Sequence, residues 1–143
     1  MGDASLPALR PAHTAGKVIL VVDEDEAART SLCRTLRNSG YAAVPARDAA
    51  EAQWCAGHAH VRPDLVLVDT THPEGDAYHF GAALSGLRPY VPVIAMADFE
   101  RAEGIRRGVI DLKTPFLRKP VCPSILVRTV GTVLSTFKGR PLA

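Results

Sequence analysis

Cysteine is scarce and scattered in this chain. There are three, Cys33, Cys55 and Cys122. The number is odd, and no pair has a CxxC or zinc-type spacing, which argues against a disulfide framework and a structural zinc site. The three read as buried, reduced thiols of a cytosolic protein. No apolar run approaches the ~18 residues that a membrane-spanning helix needs. The N-terminus has no basic segment followed by an apolar one, so no secretory signal is read there. Charge of one sign is missing too: 17 Lys and Arg against 15 Asp and Glu leave a net charge of +2. That balance gives no reason to expect nucleic acid or a membrane surface as a partner. Neither GxGxxG nor GxxxxGK[ST] occurs, which disfavours a nucleotide-binding fold. Internal repeats and low-complexity stretches are absent.

What is present is an ordinary globular composition: 143 residues, 47% hydrophobic and 22% charged. The length suits one domain with one sizeable core. Residues 1–16, with Pro7 and Pro11, read as a flexible N-terminal extension, and 138–143 as a C-terminal tail. The folded unit is expected over 17–137, about 120 residues, which leaves no room for a second output domain.

Within that unit, apolar runs alternate with helical patterns. Val18 to Val22 has no polar alternation and reads as a strand buried on both faces. Ala27 to Ser39 has a helical stripe of Ala28, Leu32 and Leu36, stopped by Gly40. Tyr41 to Val44 is a short strand, with Pro45 at its end or on an edge. Asp48 can cap a helix over Ala49 to Ala56, which Gly57 ends. Leu65 to Val68 is a third strand, followed after Asp69 by a turn and a helix over Ala77 to Leu87. Val91 to Met96 is a fourth strand. Phe99, Ala102 and Ile105 mark a fourth helix, weakened by Gly104 and Gly108. Val109 to Thr114 shows no clear pattern, and Pro115 to Arg118 is a fifth strand. Pro123 opens a last helix whose apolar stripe is Ile125, Leu126, Val130, Val133, Leu134 and Phe137. Five strand-then-helix repeats imply a doubly wound parallel sheet covered on both sides.

Strand ends are where open α/β sheets place their ligands. Here those ends lead into Asp23-Glu24, Asp69, Ala97 and Lys119-Pro120. Gathered carboxylates are costly without a cation, and hard oxygen ligands suit Mg²⁺. Asp is a competent nucleophile toward phosphorus, and a lysine can offset the charge of a transferred phosphoryl group.

On the stretches VILVVDEDEAAR, PDLVLVDTTHPEGDA, VPVIAMA and FLRKP, in that order, the chain resembles the response-regulator receiver domains of two-component signalling. The resemblance implies a flavodoxin-like (βα)5 fold with strand order 2-1-3-4-5. It implies a stand-alone, cytoplasmic response regulator that takes a phosphoryl group from a sensor histidine kinase or a phosphotransfer protein. The only catalysis implied is this self-phosphorylation and the hydrolysis that reverses it. By position, Asp69 is the phosphoacceptor. Asp23, Glu24, Asp69 and the backbone carbonyl of Thr71 would hold Mg²⁺. Lys119 is the family lysine, Lys119-Pro120 a cis-peptide candidate, and Phe116 the aromatic switch position. Output would pass through an unnamed protein partner, and a homodimer through the fourth helix, fifth strand and fifth helix is consistent with the family.

Three departures stand out. Ala97 occupies the switch position where relatives carry Thr or Ser. A longer, Pro-containing segment separates Gly108 from Phe116, so the fourth helix is expected to be remodelled. The loop after Asp69 reads Gly75-Asp76-Ala77 in place of the usual glycine pattern. Ala97 motivates an alternative, a receiver-fold interaction module whose output is independent of phosphate. A phosphatase-like hydrolase is disfavoured, because Asp69-Thr70-Thr71 lacks the expected DxD. His58, His60 and His72 read as loop histidines, and Trp54 as packing.

Overall fold

The structure is a computed structural model, described here for residues 16–58, 62–71 and 91–137. The elements are β1 (Val18–Val22), α1 (Glu26–Asn38), β2 (Ala42–Ala46), α2 (Ala49–His58), β3 (Leu65–Asp69), β4 (Val93–Ala97), α3 (Arg101–Arg106), β5 (Phe116–Arg118) and α4 (Pro123–Thr136). The helix expected over Ala77 to Leu87 lies outside the described residues, as do His60, His72 and the Gly75-Asp76-Ala77 loop. The fourth and fifth expected helices are therefore α3 and α4.

All five strands pair in parallel, in the order β2-β1-β3-β4-β5. The alternation of side chains along each strand splits the core in two. Ile19, Val21, Leu65, Leu67, Ile94 and Met96 face Leu32 and Leu36 of α1 and Leu126 and Val130 of α4. Leu20, Val22, Val66 and Val68 face the other way, toward Ala49 and Ala52 of α2. Both faces of β1 and β3 are thus buried, which is why their sequences are unbroken apolar runs.

Leu36 is fully buried, and its carbonyl accepts the N–H groups of Ser39 and Tyr41 as the chain turns into β2. Leu36→Ala is expected to lower folding stability by about 3 kcal/mol, the transfer and cavity cost of a buried leucine. Urea denaturation would show it, and a loss below about 1 kcal/mol would contradict this packing.

Several boundaries differ from the sequence expectation. β2 runs through Pro45 to Ala46 because it is an edge strand, where a missing N–H is tolerated. α1 starts one residue earlier, with Glu26 in its first turn where the helix dipole favours an acid. α2 continues past Gly57 to His58, and β4 begins at Val93, two residues later than expected. Asp48 does cap α2, accepting the Glu51 N–H at 2.9 Å. In α4 the core stripe narrows: Leu126 and Val130 are buried, whereas Ile125 and Phe137 are exposed. Trp54 is 57% exposed, so much of its ring lies outside the core. Of the thiols only Cys33 is buried; Cys122 is exposed ahead of α4.

The segment from Val109 to Thr114 is a built turn. Asp111 Oδ1 accepts both the Lys113 N–H and the Thr114 hydroxyl, at 2.9 Å each. Gly108 leaves α3 with a φ of 76°, the left-handed region that favours glycine. Gly104 makes room for this turn: a β-carbon there would stand 3.0 Å from Cγ1 of the buried Ile110. Its absent side chain thus serves packing as well as weakening the helix.

Candidate functional site

The parallel order carries the C-terminal ends of β1, β3, β4 and β5 to one edge of the sheet. Asp23 directly follows β1, Asp69 ends β3, Ala97 ends β4, and Lys119 directly follows β5. Lys119 Nζ donates to Asp23 Oδ2 at 2.9 Å and to Asp69 Oδ2 at 3.4 Å. The lysine is held from its own backbone as well, since its N–H donates to the Ala97 carbonyl at 2.7 Å. The peptide bond between Lys119 and Pro120 is cis.

Asp23 is 1% exposed. Its N–H donates to the Ala46 carbonyl at 3.1 Å, which ties it to the end of β2. Its Oδ1 accepts the Asp25 N–H at 3.0 Å, and its carbonyl accepts Arg29 Nη1 at 2.8 Å. Burial pushes its carboxyl above the usual range, and the Asp69 charge adds to this; the hydrogen bonds from Lys119 and Asp25 oppose it. For Lys119, burial alone favours the neutral amine. The hydrogen bond to Asp23 and the charges of both carboxylates outweigh it, so its pKa is raised.

A cavity of about 410 Å³ opens here, lined by Glu24, Asp25, Asp69, Thr71, Asp98 and Lys119. Among the described lining residues, the carboxylates of Glu24, Asp25, Asp69 and Asp98 face the ammonium of Lys119. Such an excess of hard anionic oxygens fits a divalent cation in its donor chemistry. Among the described residues no group of three or more His, Cys, Asp or Glu side chains forms a ready-made metal cage. A hydrated Mg²⁺ is bound without one, through one or two carboxylates, waters and substrate oxygens.

Asp69 is gripped from its own chain. Thr71 donates to Asp69 Oδ1 twice, from its N–H at 3.0 Å and its hydroxyl at 2.7 Å. The Thr71 hydroxyl oxygen also accepts the Asp98 N–H at 3.3 Å. Ala97 is fully buried and offers only a methyl group. Thr70 turns the other way, its N–H and its buried hydroxyl both donating to the Met96 carbonyl, at 2.6 and 2.9 Å. Phe116 is half-buried, and the Arg101 guanidinium lies 5.7 Å from its ring centroid, a cation–π distance that joins α3 to β5.

Three participants escape the sequence reading. Asp98 lines the cavity and bonds Thr71 through its backbone; its place directly after a strand end is the signal that could have found it. Arg118 bonds the Asp98 carbonyl through Nε at 3.2 Å and pairs with Glu100. The Thr71 hydroxyl is a third, because only its carbonyl had been assigned a role. His58 ends α2, well along the chain from these residues, and its side chain lies outside the described residues.

No helix among the described residues is long and apolar enough to cross a membrane. The family model of the response regulator receiver domain matches residues 19–131. Response regulator MprA of Mycobacterium tuberculosis is 35% identical over 124 residues, covering 84% of this chain and 51% of MprA. The DNA-binding transcriptional regulator NtrC of Rhizobium meliloti is 31% identical over 131 residues, covering 88% of this chain and 26% of NtrC. The chain therefore spans between a quarter and a half of these relatives. Chemotaxis response regulator CheY4 of Vibrio cholerae superposes with a TM-score of 0.71 at 24% identity, covering 83% of this chain and 99% of that one. The receiver domain of hybrid histidine kinase CckA gives 0.66 at 26% identity, covering 82% and 98%. By sequence and by fold, this chain belongs to the response regulator receiver domain family.

Proposed function

We propose that residues 17–137 form a cytoplasmic receiver that accepts a phosphoryl group on Asp69 from the phosphohistidine of a sensor kinase or phosphotransfer protein. The observation that carries this reading is the Lys119 ammonium, set between Asp23 and Asp69 at the edge where the strands end. In the transfer, an Asp69 carboxylate oxygen attacks phosphorus. The new P–O bond forms as the P–N bond breaks, and the departing imidazole nitrogen keeps the electron pair and takes up a proton.

The chain's own groups prepare that step. Thr71 fixes Oδ1 with its N–H and hydroxyl, which orients the carboxylate. Lys119 stands on the Oδ2 side, where it can neutralise phosphoryl oxygens. Asp23, Glu24, Asp69 and the Thr71 carbonyl would hold Mg²⁺, which when bound supplies charge neutralisation to the phosphoryl group. A second cavity of about 360 Å³ joins Lys119 and Asp98 to Ala28, Leu32, Pro120 and Val121. Its mixed lining suits the approach of a donor protein from the α1 side.

Incubation with phosphoramidate and Mg²⁺ tests this reading. The expected result is one phosphoryl group per chain, removed by hydroxylamine as an acyl phosphate is, with labelling suppressed when Mg²⁺ is chelated. A hydroxylamine-stable label, or one indifferent to Mg²⁺, would contradict it. Ala97 favours a second reading, a receiver-fold module whose contacts ignore phosphate.

A further inference from the structure

We propose that the Thr71 hydroxyl reports the chemical state of Asp69 to the segment between β4 and α3. The inference rests on Asp69 being the phosphoacceptor. Among the described hydrogen bonds, Thr71 Oγ1 is the atom that touches both the Asp69 carboxylate and the backbone beyond β4.

A hydroxyl has a single proton to give. Here that proton goes to Asp69 Oδ1 at 2.7 Å, while the oxygen receives the Asp98 N–H at 3.3 Å. Phosphorylation moves negative charge off the carboxylate and onto the phosphoryl oxygens. If Oδ1 forms the new bond, it becomes a bridging oxygen; if Oδ2 does, Oδ1 becomes a carbonyl oxygen. In both cases Oδ1 loses anionic character, and the stronger acceptors lie on phosphorus. The Thr71 hydroxyl then turns toward them, and the Asp98 N–H follows its acceptor or loses it. Ala97, buried and without a hydroxyl, cannot compete for this role.

Movement at Asp98 has a path outward. Its carbonyl is held by Arg118 Nε at 3.2 Å, and Arg118 pairs with Glu100. The Glu100 carbonyl accepts the N–H groups of Glu103 and Gly104, at 3.0 and 3.1 Å, in the first turn of α3. From the next residue, Arg101, the guanidinium lies over Phe116 on β5. Thr71 thus acts as a positioning residue for α3 and β5, in the place a fourth-strand hydroxyl leaves empty.

The test compares backbone amide shifts of the full chain with and without saturating beryllofluoride and Mg²⁺. The wild type and Thr71→Ser are expected to shift at Asp98 to Arg106 and at Phe116. In Thr71→Val, which loses the hydroxyl at nearly constant volume, beryllofluoride is expected to bind more weakly because one of the two bonds orienting Asp69 is gone. At saturation the shifts at Asp69 and Lys119 are expected to remain while those at Asp98 to Arg106 and Phe116 fall several-fold. If Thr71→Val does not fold, Thr71→Ala carries the same expectation. Full shifts at Asp98 to Arg106 in the hydroxyl-free variant would overturn the inference. So would a variant that no longer binds beryllofluoride, since the hydroxyl would then hold the group, not report it. A wild type showing no shift at Asp69 would mark the failure of the phosphoacceptor reading itself, which the labelling experiment detects separately.

Discussion

Lys119→Met is expected to lower folding stability by about 3 kcal/mol and to abolish labelling of the chain by a phosphoryl donor. The stability loss follows from Asp23. Its side chain is fully buried, and the Lys119 ammonium is its cationic partner at 2.9 Å. Breaking a buried pair from one side leaves an uncompensated charge, typically a cost of about 3–5 kcal/mol. Lys119 is 19% exposed, so solvent screens the pair little, and the lower end of that range applies. The double variant Lys119→Met/Asp23→Asn removes both charges and is expected to recover much of the loss. Urea denaturation of the four proteins of this cycle would give the coupling. A stability loss in Lys119→Met below about 1 kcal/mol, or no recovery in the double variant, would show that Asp23 does not depend on the lysine.

Asp69→Ala is expected to reduce labelling to background while leaving the fold intact. The methyl group removes the proposed nucleophile and leaves the other cavity carboxylates in place. Asp23 cannot substitute, since it is buried and does not line the cavity as Asp69 does. Glu24 and Asp98 line the cavity but lack the paired grip that Thr71 gives Asp69. Quantitative labelling with phosphoramidate, beside a circular dichroism melt to verify folding, makes the comparison. Undiminished labelling of Asp69→Ala would remove the phosphoacceptor assignment.

The sheet was legible because burial leaves a strong trace in composition. Strands covered on both faces lose their polar alternation, and Val18–Val22 and Leu65–Asp69 stand out for that reason. The strand-end rule then marked Asp23, Asp69, Ala97 and Lys119, whose positions follow from chain direction alone. Edge effects were less legible. Pro45 suits either a strand end or an edge strand, and only the strand order shows that the edge is the answer. The turn from Val109 to Thr114 was opaque because its order comes from Asp111 side-chain bonds and from Ile110 packing on Gly104, neither of which is periodic. The Thr71–Asp98 link joins residues 27 apart through one hydroxyl, so no local pattern announces it. Exposed Ile125 and Trp54 show the converse limit: an apolar residue at a helical spacing need not reach the core.

The central claim is that a phosphoryl group from phosphohistidine or a small donor comes to rest on Asp69. Borohydride reduction of the labelled wild-type chain, followed by peptide mass spectrometry, tests it most directly, because reduction converts an aspartyl phosphate to homoserine at the residue that carried it. The account predicts homoserine at position 69 alone, formed only when Mg²⁺ and donor are both supplied. Homoserine at another position, or label recovered on a histidine with residue 69 still aspartate, would contradict it.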